Sequence, residues 1–312
     1  MNRRHFIQAL GFTGTAALAA GSLRNAAALF AAEGDVFTMT TVNHLSIGGV
    51  ADYAKTRDWY VDLFGMRVTW DNGKECGIEF GPVNSPNGIY VDPGKPGDKS
   101  NVSHIGFGIP DFWAKKDAMK SEMDRRGLKG VRPDGEGGWS VNTPSGYLIQ
   151  PVPVKDESMY PGAGGPCKVA KSDACVAGYE AGLKDLAALP KPSGKGFKAV
   201  AFSRIVFHTP DIASDRDFFR DLWGMKVISD KQDGDNPESL LKFGENTLCL
   251  RNTSQPGDKP YCTEFSFQVE DFNKAKVEAE LKRRGLNPVM DPEMGWVVSD
   301  LDGLRVGVTG KA

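Results

Sequence analysis

The chain carries two copies of one long pattern, and this duplication limits its possible folds more than any other feature. Pro96-Gly97-Asp98-Lys99 returns as Pro256-Gly257-Asp258-Lys259, and Asp111-Phe112 as Asp271-Phe272. Asp62-Leu63-Phe64-Gly65-Met66 is matched by Asp221-Leu222-Trp223-Gly224-Met225, and Arg125-Arg126-Gly127-Leu128 by Arg283-Arg284-Gly285-Leu286. Self-similarity over so long a stretch means two copies of a domain, and 312 residues suffice for each to bury its own core. The copies part where chemistry is at stake: His44 and His104 of the first are Arg204 and Glu264 in the second. One copy keeps a candidate metal site that the other has lost.

Local patterning subdivides each copy. Val42–Ile47 alternates as a strand. Asp52 opens a helix whose Trp59, Tyr60, Leu63 and Phe64 fall at helical spacing until Gly65 stops it. Short β-type runs follow at Arg67–Trp70, Gly77–Phe80 and Gly88–Val91, separated by Gly, Asn and Pro. The same order recurs from Ser103: a strand to Ile109, a helix capped by Asp111 and ended by Gly127, then three strands. The expected class is therefore α+β, four βαβββ units in two tandem domains. Residues 40–153 form the first domain, 199–312 the second, and 154–198 a connector with a helix over Asp173–Leu189. That helix reads as a packed strap, with a lid or dimer element as the alternative.

Lys and Arg number 38 against 40 Asp and Glu, a net charge of −2 that provides no electrostatic footprint for nucleic acid. Asn2-Arg3-Arg4-His5-Phe6 precedes an uncharged run from Ala9 to Leu23, and this start resembles a twin-arginine export signal. Residues 1–32 are accordingly expected to be a signal peptide, cleaved after Ala28 or Ala32, and the protein to be periplasmic or secreted. The run is too short and Gly-rich for stable membrane insertion. Five cysteines are an odd number for an oxidising compartment. Cys167 and Cys175 flank a short stretch that a disulfide would close, Cys249 and Cys262 meet only if their strands are neighbours, and Cys76 is left over.

Asn43-His44-Leu45, Trp59-Tyr60-Val61-Asp62-Leu63-Phe64-Gly65-Met66, Ser103-His104-Ile105-Gly106-Phe107 and Pro144-Ser145-Gly146-Tyr147-Leu148-Ile149-Gln150 together resemble the vicinal oxygen chelate superfamily, the fold of glyoxalase I, bleomycin-resistance proteins and extradiol dioxygenases. The second copy matches through Phe218-Phe219-Arg220-Asp221-Leu222-Trp223-Gly224-Met225 and Asp300-Leu301-Asp302-Gly303. The resemblance implies metal ligands on the first, fifth and eighth strands, which are His44, His104 and Gln150. Gln150 stands where the family usually has Glu, and Asp92 is the alternative carboxylate. The ion implied is divalent Fe, Mn, Ni or Zn, with open positions for adjacent substrate oxygens. Tyr90, Trp139 and Tyr147 are candidates to line the cup. In the second copy the ligand positions read Arg204, Glu264 and Gly307; arginine does not ligate metal, so an Arg204–Glu264 ion pair filling a degenerate site is expected, and His208 is read as structural.

The leading expectation is an exported metal-dependent enzyme acting on a small molecule with vicinal oxygens, its class open among dioxygenase, lyase and isomerase. The alternative is a non-catalytic ligand-binding cup of the bleomycin-resistance type. A homodimer and exchange of units between domains are both left open; only the unexchanged arrangement reunites His44, His104 and Gln150.

Overall fold

The computed structural model describes residues 37–81, 87–95, 97–134, 138–154, 188–234, 236–255 and 257–311. The leader, the expected connector helix up to residue 187, Cys167 and Cys175 lie outside them. In the first copy, β1 (Thr41–Val50) leads to α1 (Tyr53–Phe64), β2 (Arg67–Asp71), β3 (Cys76–Phe80) and β4 (Asn87–Pro93). The second unit is β5 (Asn101–Ile109), α2 (Phe112–Arg125), β6 (Arg132–Pro133), β7 (Trp139–Asn142) and β8 (Leu148–Pro153). They form one eight-stranded mixed sheet of order β2-β3-β4-β1-β5-β8-β7-β6.

The second copy repeats this order with β9 (Ala199–Thr209), α3 (Ile212–Asp221), β10 (Lys226–Lys231), β11 (Glu238–Phe243) and β12 (Asn246–Asn252). Then come β13 (Tyr261–Val269), α4 (Lys274–Arg283), β14 (Val289–Asp291), β15 (Gly295–Ser299) and β16 (Arg305–Thr309). Their sheet runs β10-β11-β12-β9-β13-β16-β15-β14. The fold is α+β, and both units of a copy pair inside that copy through β1–β5 and β9–β13, so units are not exchanged.

The repeated motifs have structural causes. In Pro-Gly-Asp-Lys, Asp98 accepts from Lys95 N (2.8 Å) and Asp258 from Gln255 N (2.9 Å), closing the same turn in each copy. Asp111 and Asp271 both have positive φ, 54° and 50°, and among the described residues they are the only non-glycine residues that do. This corrects the expected cap: Asp111 makes no side-chain capping bond, and its carboxylate meets Lys115 instead. Likewise α4 starts later than its Asp271, with Asn273 accepting from Lys276 N. Asp52 and Asp211 do cap α1 and α3.

Asp-Leu-(Phe/Trp)-Gly-Met and Arg-Arg-Gly-Leu join the copies to each other. Arg126 donates to the Asp221 carbonyl (3.2 Å) at the end of α3, and Arg284 reaches Asp62 (2.5 Å) at the end of α1. Phe37 N bonds the Leu222 carbonyl (2.8 Å), and Phe197 N bonds the Leu63 carbonyl (2.7 Å). Between the sheets lies one shared core in which Phe267 contacts Phe64 (ring centroids 4.5 Å) and Phe80 (5.1 Å), while Tyr147 meets Phe207 (4.7 Å). Burying rings of this size dominates the cohesion of the pair.

Two polar contacts cross the same interface. Thr56 donates to Asp302 (2.5 Å), and Tyr60 donates to Asp300 (2.8 Å). At the related position Asp215 accepts from Ser145 N (3.2 Å) and from the Thr209 hydroxyl. Burial, opposed by these hydrogen bonds, pushes the Asp215 carboxyl up to about 6. A raised carboxyl stabilises the fold below its ordinary range and loses that contribution as pH climbs through 6. Asp215→Asn should therefore flatten the decline between about pH 4 and 6, a term on the order of 2–3 kcal/mol, and be no less stable than wild type at pH 7. Chemical denaturation at pH 5 and 7 checks this; a variant less stable at pH 7 with the slope intact would contradict it.

The cysteine reading is corrected for one pair. Cys249 on β12 and Cys262 on β13 are both free and buried, because β9 lies between their strands. Cys76 is also free and buried.

Candidate functional site

The site grows from a break in β1. Val42 pairs with Phe107 and His44 with Gly106, so two residues of β1 oppose one of β5, a bulge at Asn43. In a regular strand neighbouring side chains take opposite faces; a bulge re-aims them. Here it lets Asn43 Oδ1 and His44 Nδ1 approach to 3.0 Å, while Asn43 Nδ2 donates to the Pro153 carbonyl (3.1 Å).

His44 is fully buried, with its ring 5.3 Å from the ring of half-buried His104, edge to face. Gly106 lies beneath it: a Cβ there would fall 2.3 Å from His44 Cε1 and 2.4 Å from Nδ1. Register extends the row, since Gly106 pairs with Gln150 on β8 and His44 with Gly88 on β4. His44, His104, Gly106 and Gln150 thus share one face of the sheet, two imidazoles beside a neutral amide. Among the described residues no three His, Cys, Asp or Glu side chains gather as a metal-binding set. The donor chemistry still suits a divalent cation, with the glycine keeping clear the space over which His44 lies.

Of the three candidate lining residues, Tyr90 stands on this face, its ring 4.8 Å from His44 and 6.0 Å from Trp70. Trp139 and Tyr147 are not brought there. Trp139 donates to the Lys116 carbonyl on α2 (3.1 Å), and Trp296 repeats that bond to Lys274 (2.8 Å) in the other copy, so its contacts belong to helix packing. Tyr147 donates to the Val102 carbonyl (2.5 Å) and packs on Phe207.

Farther along β4, Asp92 accepts from Ser46 (2.9 Å) and faces Glu75. Burial and the hydrogen bond to Asp92 hold the Glu75 carboxyl above its usual range. Sequence reading passed over Glu75, whose partner is visible only once β3 and β4 pair. The corresponding residues of the second copy, Glu238 and Arg251, form an ordinary ion pair (2.9 Å).

In the second copy the expected Arg204–Glu264 pair does not form. Arg204, buried, bonds Glu293, whereas Glu264 takes His208 Nε2 (3.3 Å) and Arg305 (2.6 Å). Strand pairing explains the choice, for Glu264 and Arg305 are register partners on β13 and β16. Gly307 permits the loop before β15 to close in: a Cβ there would meet the Met294 carbonyl at 2.4 Å. His208 also stacks on Tyr261 (4.5 Å, 10°). Charged pairs fill this cup where the first has imidazoles.

Residues 41–150 match the family model described as Glyoxalase/Bleomycin resistance protein/Dioxygenase superfamily. Over this stretch the first sheet is similar to the domains of that superfamily. Both sheets together are similar to solved structures of the same layout. A variant of homoprotocatechuate 2,3-dioxygenase from Brevibacterium fuscum aligns with a TM-score of 0.64 at 16% identity, covering 90% of this chain and 74% of that one. The 2,3-dioxygenase LapB from Pseudomonas sp. KL28 gives 0.63 at 14% identity, over 88% and 94% of the two chains. A Mn(II)-bound glyoxalase from Novosphingobium aromaticivorans gives 0.61 at 16%, over 88% and 83%. These likenesses are of fold. Among curated proteins, none matches the sequence closely enough to count as a relative.

Proposed function

We propose that the first glyoxalase-like domain is a metal-dependent enzyme site in which His44, His104 and Gln150 hold a divalent cation and a small substrate presents adjacent oxygens to it. The observation carrying this reading is the His44–His104 ring pair, set over a glycine in one copy and replaced by Arg204 and Glu264 in the other. When bound, the cation supplies Lewis acidity toward the two substrate oxygens. The protein's own part is binding and orientation. Buried His44 excludes water, Tyr90 walls one side, and neutral Gln150 leaves the cation's charge uncompensated, which favours an anionic substrate oxygen.

Elemental analysis of purified protein, with His44→Ala and His104→Ala alongside, tests the reading. About one equivalent of Fe, Mn, Ni or Zn, lost in both variants, is the expected outcome; catechols and α-hydroxy carbonyl compounds would then be screened for turnover. Absence of metal after reconstitution would sink the enzyme reading and leave a ligand-binding cup. We also propose export through the Arg3-Arg4 leader; Arg3→Lys together with Arg4→Lys should retain the protein in the cytoplasm on fractionation.

A further inference from the structure

We propose that Asn43 is a positioning residue that fixes the tautomer of His44 and so chooses which imidazole nitrogen can bind a ligand. The inference deepens the metal-site reading and rests on it only for the ligand's identity. It follows from a chain of donors and acceptors in which each link leaves one option. The Pro153 carbonyl at the end of β8 can only accept, so the Asn43 amide must present Nδ2 to it. The other end of that amide, Oδ1, can also only accept, and it lies 3.0 Å from His44 Nδ1. Nδ1 must therefore carry the hydrogen, and in the neutral ring the lone pair resides on Nε2. The hydrogen bond also fixes the ring plane over Gly106, where the glycine alone leaves room.

The second copy separates what the fold requires from what this arrangement adds. β9 carries an extra residue at the same place, since Phe202 pairs with Phe267 and Ile205 with Phe265. The bulge is thus common to both copies. The amide is not: Ser203 replaces Asn43 where Arg204 replaces His44, and Ser266 replaces Gly106. Amide, histidine and glycine occur together in one copy and are lost together from the other. Nothing in strand pairing demands an amide at this bulge; orienting an imidazole does. Partners that hold a ligating histidine in one tautomer commonly contribute 10- to 100-fold in metal affinity.

The test has two arms. Imidazole nitrogen NMR on metal-free, histidine-labelled protein reads the tautomer directly, and with four histidines in the chain the signals are assignable by substitution. His44 is expected wholly in the Nδ1–H form in wild type and as a mixture in Asn43→Leu, which keeps the shape of the side chain but neither its acceptor nor its donor. In the second arm, Mn²⁺ titration followed by electron paramagnetic resonance should show affinity lowered about 10- to 100-fold by Asn43→Leu. An Nε2–H ring in wild type, or tautomer and affinity both unmoved in Asn43→Leu, overturns the proposal. The wild-type spectrum needs no variant to fold. If wild type bound no Mn²⁺ yet showed the locked tautomer, the metal reading would fail while this one stood.

Discussion

Gly106→Ala is expected to cost the first domain up to about 100-fold in Mn²⁺ affinity while leaving the protein folded. The added methyl would enter the volume of the His44 ring, 2.3 Å from Cε1 and 2.8 Å from Nε2. Contacts that short are not tolerated, and the ring has little freedom to yield. It is fully buried, Tyr90 lies 4.8 Å away, His104 lies 5.3 Å away, and Asn43 holds Nδ1. Overpacking of this kind costs about 1–3 kcal/mol in stability, which a domain with this much buried aromatic surface should survive. The ligand geometry should not. Parallel melting curves and Mn²⁺ titrations decide the matter: a folded variant with wild-type affinity would mean that His44 is not a ligand.

Arg126→Ala should lower stability by about 3–4 kcal/mol, whereas Arg284→Ala, its counterpart, should cost about 1 kcal/mol or less. The two arginines do the same job from opposite sides of the interface but in different surroundings. The Arg126 side chain is almost fully buried, bonds buried Glu122 (2.6 Å) and donates to the carbonyl ending α3. Removing it strips a partner from a buried carboxylate, leaves a large void and undoes a favourable charge at a helix C-terminus. Arg125 still holds Glu122 (2.6 Å), which keeps the loss near the lower end for buried pairs. Arg284 is itself more exposed than Arg126: it pairs with a half-exposed Asp62 and with a partly exposed Glu280 that Arg283 also holds, so solvent screening leaves little to lose. Denaturant unfolding of both variants measures the contrast; equal losses would refute the burial argument.

The duplication, the order of strands and helices, and the separation of a histidine copy from a charged copy were all legible in the sequence, because they rest on periodicity and on residue identity. What escaped depends on geometry across the fold. The repeated Arg-Arg-Gly-Leu and Asp-Leu-(Phe/Trp)-Gly-Met read as local helix ends, yet beyond their own helices they also bond the other copy, as Arg284 does to Asp62 and Arg126 to the Asp221 carbonyl. Asp111 has the composition of a helix cap but adopts positive φ, which no local pattern announces. Arg204 and Glu264 looked complementary as side chains of one cup; Arg305 and Glu293 were nearer, one through strand register and the other through a loop. The bulge at Asn43 carries no glycine or proline to mark it, so the link from Asn43 to His44 became visible only with strand pairing.

The polar contacts between the copies also decide with whom each half can associate. Thr56 meets Asp302 on one side, and on the other the equivalent positions hold Asp215 and Ser145, so hydroxyl and carboxylate have traded places. Two first halves brought together would set Thr56 against Ser145 and present no carboxylate at all. Two second halves would press Asp215 against Asp302, like charges in a poorly solvated place. Only unlike halves satisfy both contacts. Produced as separate polypeptides, the halves should therefore seek each other and shun their own kind, a chain divided in two that remembers which piece it lost.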